Sequence, residues 1–206
     1  MSTPDFWGEP RIIGGIVPPL LPDSGTVWSI VYGEAPGPRG ADQSGVPFWG
    51  DGAGIPLYRG LVAAGCAELD DSVWGRWDGA ELRRAGLWPR LIGVALGNAF
   101  PRCPTDDGKR FRAPKRGELF SPANLARLRD ELGASLARGA SKVITLGRCA
   151  AQTLEPLAGE RGLKLIALPH PSSQGLLMSA PGKGRGMRLE DLRGQWQTRL
   201  VDALRS

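Results

Sequence analysis

Two carboxylates, Glu34 and Asp51, and an aromatic pair, Phe48-Trp49, are embedded in a stretch crowded with glycine and proline, residues 33–54. Glycine permits positive φ and close backbone approach to a ligand, and proline stiffens the chain. Acids and a ring carried on such a loop therefore read as a rigid site and not as a tether. The plain alternative is a structured surface turn, because loops at strand ends are only enriched in function. The single histidine, His170, stands between Pro169 and Pro171 after a short apolar run, 165–168. A lone histidine is commonly structural; one clamped by two prolines at a strand end is a better candidate for chemistry. The first loop also follows an apolar run, 27–32. Two strands of one parallel sheet bring their carboxyl ends to the same edge, where α/β proteins bind ligands. An acid, a flat ring and an imidazole would meet there.

The elements that must hold them are legible along the chain. Apolar runs at 27–32, 91–96, 142–146 and 164–168 read as strands. Helices are expected at 55–65, 148–157 and 189–204. Another follows Ser121-Pro122, with serine at the N-cap, proline at the first position and Leu125, Leu128, Leu132 and Leu136 along one face. The tryptophan-rich stretch 74–88 is ambiguous, with a helix suggested near its end. Alternating strands and helices imply an α/β fold, a three-layer sandwich with a central four-stranded, mostly parallel sheet flanked by helices. The 206 residues read as one domain, 1–206, in which 1–26 is an extended, Pro- and Gly-rich segment wrapping the surface, with Ile12-Ile13 and Ile16-Val17 as candidates for burial.

Composition narrows the partners. Apolar residues make up 41% and charged residues 23%, the balance of a soluble globular chain. No apolar run of about 18 residues is present, so no membrane span is expected. The first residues lack the basic and apolar regions of a secretory signal, which points to a cytoplasmic or nucleoid-associated protein. The net charge of +5 favours a polyanionic partner. Cys66, Cys103 and Cys149 are odd in number and far apart, which does not read as a disulfide framework.

Three motifs, in order, carry a family resemblance. Gly33-Glu34-Ala35-Pro36-Gly37 is similar to the first motif of the thermostable, iron–sulfur branch of the uracil-DNA glycosylase superfamily. Gly37-Pro38-Arg39-Gly40 through Gln43-Ser44-Gly45-Val46-Pro47-Phe48 resembles the single-strand-selective monofunctional branch. Gly50-Asp51, with Ala53-Gly54 and Leu57-Tyr58-Arg59, resembles the branch that also attacks hypoxanthine and xanthine. Val94-Ala95-Leu96-Gly97-Asn98-Ala99 is the second match, and His170-Pro171-Ser172 resembles the motif shared across the superfamily. The resemblance spans 27–204 and is specific at these motifs. It implies a monofunctional, base-flipping DNA glycosylase that removes uracil, and other deaminated bases if the pocket is roomy, leaving an abasic site. No lysine falls within a matched motif to attack the sugar. The iron–sulfur branches hold a cluster with four cysteines, whereas this chain has none before Cys66, although Cys103 lies where one ligand would fall. No cofactor, cluster or structural zinc is expected.

The resemblance also distributes roles. Such an enzyme must stack the flipped base, read its edge, stabilise the leaving anion and position water. Phe48 would stack the base and Gly33 of the first motif would also bind it, with Trp49 structural. Asn98 would read uracil, since an amide carries both donor and acceptor. His170 would donate to O2 as charge develops. Glu34 would position water and stabilise the cationic sugar; Asp51 is the alternative carboxylate and Asp42 the third. Ser172 and Ser173 would hydrogen-bond phosphates, Gln174 or Leu176 would fill the space of the extruded base, and Lys183, Arg185 and Arg188 would track the backbone. The loop 109–116 is a second basic patch. The expected partner is DNA containing deaminated bases, and the expected state a monomer. The rival readings are a damaged-DNA-binding protein of the same fold without turnover, and a hydrolase of free nucleosides.

Overall fold

Hydrophobic alternation decides the layering of this chain. The computed structural model describes residues 11–206, so the first ten residues, on which the signal-peptide expectation rests, lie outside the described residues. In chain order the elements are β1 (Ser29–Gly33), α1 (Ala41–Ser44), α2 (Gly54–Ala63), β2 (Ala67–Glu68), a 3-10 segment (Asp71–Arg76), α3 (Gly79–Arg84), β3 (Arg90–Leu91) and β4 (Val94–Asn98). Then follow α4 (Arg116–Leu119), α5 (Pro122–Ala137), β5 (Lys142–Leu146), α6 (Arg148–Glu160), β6 (Lys164–Leu168), α7 (Ser173–Ser179), a second 3-10 segment (Pro181–Gly184) and α8 (Leu189–Arg205).

The central sheet has the order β4-β1-β5-β6, and all three pairings are parallel. Side chains alternate across it. Val31, Leu96, Ile144 and Leu146 face one way, onto Leu57, Leu61, Leu82, Trp196 and Leu200 of α2, α3 and α8. Ile30, Tyr32, Ala95 and Val143 face the other way, onto Leu128, Leu132, Leu154 and Leu157 of α5 and α6. Central strands buried on both faces are what a parallel sheet between two helical layers requires. The expected α/β sandwich is therefore present, with a two-stranded antiparallel β2-β3 ribbon beside it.

Ser121 accepts from the Asn124 N–H at 3.3 Å with Pro122 in the first turn, so α5 starts where its capping residues place it. Two expectations shift. The strand anticipated at 91–96 divides, because Gly93 turns with φ 68° beneath the Trp28 ring, where a Cβ would lie 1.9 Å from a ring carbon. Leu91 joins the ribbon, and the sheet strand begins at Val94. The tryptophan-rich stretch folds as the first 3-10 segment and α3. Trp49, Tyr58 and Trp77 interlock edge-to-face, and Trp74 stacks on Trp77.

Leu20 exchanges two backbone hydrogen bonds of 2.9 Å with Leu96, laying the entering chain antiparallel along the outer edge of β4. Ile12 and Val17 are buried, whereas Ile13 and Ile16 are exposed. No described helix is long and apolar enough to cross a membrane.

Candidate active site

Sheet order decides where a site can form. β1 connects outward to β4, and the chain then crosses to β5 and β6 on the other side of β1. The direction of winding reverses at β1, and ligands bind in the crevice outside the strand ends at such a point. The loops after β1 and β6 wall a cavity of about 490 Å³ there, with Glu34, Phe48 and Asp51 on one side and His170, Ser172, Ser173 and Gln174 on the other.

Register places Gly33 directly beside Asn98 at the ends of β1 and β4. The Phe48 ring lies against Gly33: a Cβ there would come within 2.4 Å of the ring and 3.2 Å of Asn98 Oδ1. Phe48 is buried and adopts φ 62°, a left-handed conformation that a bulky residue rarely takes. Strain of this kind persists only where the surroundings over-determine it. Here Tyr58 donates to the Pro47 carbonyl (2.9 Å), Trp49 Nε1 to Leu87 (3.0 Å) and Trp77 Nε1 to Asp51 (2.7 Å). Trp49 is fully buried and structural, as its neighbours require.

Asn98 is buried beside Gly33 and is not among the residues that line the cavity. Its Nδ2 is buried with no hydrogen-bond partner. Leaving a buried donor unpaired costs about 1–3 kcal/mol, so this amide calls for an acceptor from outside the chain, a water or a ligand atom. The backbone behind it is braced: Arg127 donates to the carbonyls of Asn98 (3.1 Å) and Ala99 (3.0 Å), and Asn124 Nδ2 donates to Ala99 (2.9 Å).

The three acids have separated roles. Glu34 lines the cavity, and its neighbour Cys149, at the start of α6, has its thiol pushed up by burial and by the Glu34 carboxylate. Asp51 lines the cavity too, but its oxygens accept from the N–H groups of Gly37 (3.2 Å), Gly40 (3.0 Å) and Ala41 (3.1 Å). Burial pushes its carboxyl up to about 6, against the pull of those donors. This acid folds the loop around itself. Asp42 does not reach the cavity. It is buried and accepts from Ile13 (2.6 Å) and Gly14 (2.8 Å), strapping down the entering chain, so its place as third candidate is corrected to a strut.

His170 is set by backbone on three sides. The Trp196 indole donates to Pro169 O at 2.8 Å. Glycine is required at 147 and 175, where a Cβ would meet His170 Cβ at 3.1 Å and His170 O at 2.4 Å. The Ser172 N–H donates to Nδ1 at 3.3 Å, and burial lowers the imidazole pKa. Burial therefore favours the neutral ring, with its proton assigned to Nε2 by that hydrogen bond.

Of the expected DNA contacts, Ser173 and Gln174 are exposed at the rim. Ser172 Oγ caps α7 by accepting from Gly175 N–H at 3.1 Å. Leu176 is corrected: it is 3% exposed and packs in the core, so it is not available to enter a duplex as the chain stands. Arg185 is exposed and lies outside the cavity walls. Two wall residues escaped the sequence reading. Arg193 reaches in from α8, its Nη2 donating to Ser173 Oγ at 3.5 Å and its Nε buried without a partner. In sequence it looks like any charge on the polar face of a helix. Phe111 stands at the mouth, and a lone ring between Arg110 and Arg112 was a visible signal.

Among the described residues no three His, Cys, Asp or Glu side chains converge as a metal would need. Cys66 and Cys103 are buried free thiols, the latter pushed up to about 12 by burial.

Comparison with known proteins agrees with the geometry. The search of curated proteins finds no significant match. Among solved structures, a solution NMR structure from Methanosarcina acetivorans, named provisionally as a uracil DNA glycosylase, is 15% identical, covering 91% of this chain and 96% of that one, with a TM-score of 0.44. That likeness is too loose to add to the argument. The family profile described as the Uracil DNA glycosylase superfamily matches residues 25–192, which take in both cavity loops and all three motifs. A chain matched over most of its length, with the matched motifs gathered at one sheet edge, belongs to the uracil DNA glycosylase superfamily.

Proposed function

We propose that this glycosylase-family chain hydrolyses the N-glycosidic bond of uracil in DNA, after flipping the base from the helix, and leaves an abasic site. The observation that carries the reading is Asn98 at the end of β4, with its Oδ1 beside Gly33 and its Nδ2 buried and unpartnered, next to the Phe48 ring that packs on Gly33. An amide offers a donor to uracil O4 and an acceptor to N3–H at once; cytosine presents the opposite pattern and would leave both unpaired. Phe48 supplies the flat face.

Bond cleavage at C1′ leaves the electron pair on the base and cationic character on the sugar. The neutral His170 donates Nε2–H to O2 as the negative charge grows. Donors aimed at developing charge in this way contribute about 3–4 kcal/mol. Glu34, unlike Asp51, is not committed to loop backbone donors among the described residues, and it stabilises the cationic sugar and orients water toward C1′. Water's oxygen bonds to C1′, its proton passes to Glu34 and then to solvent, and the departed base is protonated. Arg193 and Ser173 are placed to hold a phosphate at the rim. The protein would act as a monomer, in the cytoplasm or on the nucleoid, with no cofactor.

A second reading, a damage-binding protein without turnover, draws on the engagement of Asp51, which leaves Glu34, beside the Cys149 thiol, as the cavity acid without backbone donors among the described residues. Base release from oligonucleotides carrying uracil, hypoxanthine or xanthine, single-stranded and paired, separates the two, with alkali revealing abasic sites. Uracil release that falls at least about a hundredfold in Glu34→Gln and in His170→Ala is expected. Tight binding with no release from any strand would leave the second reading.

A further inference from the structure

Phe111 is 49% exposed at the lip of the cavity. Single exposed apolar side chains are ordinary on a surface; the setting of this one is not. Its backbone pairs with Thr105 in an isolated bridge. Asp107 accepts from the N–H groups of Lys109 and Arg110, both at 2.8 Å. Arg112 forks onto Glu118 with two bonds of 2.7 Å and reaches Asp106 at 3.0 Å, while Lys115 joins the same Asp106 at 2.8 Å. Isolated surface pairs contribute little, but a linked set that includes a bidentate, partly buried Arg–Glu pair orders the loop. The loop's shape is thus set before anything binds, and an exposed ring directly follows the exposed cations Lys109 and Arg110.

We propose that Phe111 is a stacking platform for an unpaired nucleobase next to the one extruded, and that it gives the protein a preference for single-stranded over paired DNA. The proposal rests on the reading above that the cavity takes a base from DNA. A flat face beside backbone-binding cations is the arrangement that holds single strands without reading sequence. In a duplex the neighbouring bases already stack on one another, so the ring gains little; in a single strand a π-face is free.

Fluorescence anisotropy on oligonucleotides with one uracil, single-stranded or paired, tests this independently of turnover. Phe111→Ala should weaken single-strand binding by about 5- to 100-fold, as expected for one lost base stack, and paired binding by less than about threefold. Phe111→Trp should bind as the parent does, and Phe111→Leu should behave like Phe111→Ala, because volume without a π-face does not stack. The salt slope of binding should not change in Phe111→Ala, but should fall by about one in Lys109→Ala. Equal losses on both strand types, no loss, or full rescue by leucine would overturn the proposal. Base release by the parent protein is read separately: its absence overturns the glycosylase reading, while the anisotropy result still decides the role of Phe111.

Discussion

The floor and the rim of the cavity are built on opposite principles. At the floor, Gly33, Phe48, Asn98 and Asp51 interlock so closely that no methyl group fits between Gly33 and its neighbours, and one buried donor is left unpaired. At the rim, Phe111, Ser173 and Gln174 are exposed, set on loops or short helices and interleaved with cations. Under the proposed function a base would have to be held to within a fraction of an ångström for its bond to break, which an over-determined floor suits. A DNA backbone is a flexible, repeating charge, so a rim that met it, as proposed, would need only rigid anchors and positive potential. Floor changes should therefore act on turnover and stability, and rim changes on affinity and its salt dependence.

The sharpest test of that division is Gly33→Ala. The added methyl meets the Phe48 ring, which is already held at positive φ by Tyr58, Trp49 and Trp77 around it. Turnover should fall at least about a hundredfold while DNA affinity stays within about threefold, since a small misplacement at the reacting centre is enough. Parallel loss of both would dissolve the distinction.

Asp51→Asn comes next. An amide has a single acceptor oxygen for three backbone donors, so thermal stability should drop by about 1–3 kcal/mol. It should also change the pH profile of unfolding. The folded carboxyl holds its proton to about 6, whereas the unfolded one releases it near 3.8. The Asp51 contribution is therefore fully present below the unfolded value and declines as pH rises from about 4 to about 6. Denaturant melts across that window should show this downward component in the parent and lose it in the variant. An unchanged slope would mean that the carboxyl is less enclosed than the loop implies.

The smallest effect belongs to Arg193→Ala. Binding should weaken a few-fold alike on all sequences, and the salt slope should fall by about one, as for loss of a single phosphate contact. A change in base preference instead would move Arg193 from rim to floor.

Most of the architecture was readable before the structure. Period and punctuation placed β1, β5, β6, α5 and α8 within a few residues, because strands buried on both faces and capped amphipathic helices carry local signals. The break at Gly93 was not readable, since it depends on Trp28 lying across the glycine, a contact 65 positions away in sequence. α7 was missed for a related reason: seven residues containing Gly175 have little helical signal, and its capping Ser172 was read as a phosphate ligand.

The site divides in the same way. Which residues gather at one sheet edge was legible in the chain: a loop with Glu34, Phe48 and Asp51, an asparagine after a strand, and a histidine between prolines. Residue type and order suffice there, because stiff loops at parallel-strand ends converge whatever lies between them. Which acid is tied to loop backbone donors and which is not was decided only by tertiary structure. Asp51 is engaged by three N–H groups 10 to 14 positions away, Asp42 is held away from the cavity by an irregular segment 28 and 29 positions away, and Leu176 is buried in the core. Arg193 enters the cavity only because α8 packs back across β6 and α7. Hydrogen-bond occupancy and burial are properties of neighbours in space, and a linear chain specifies those only once it has folded.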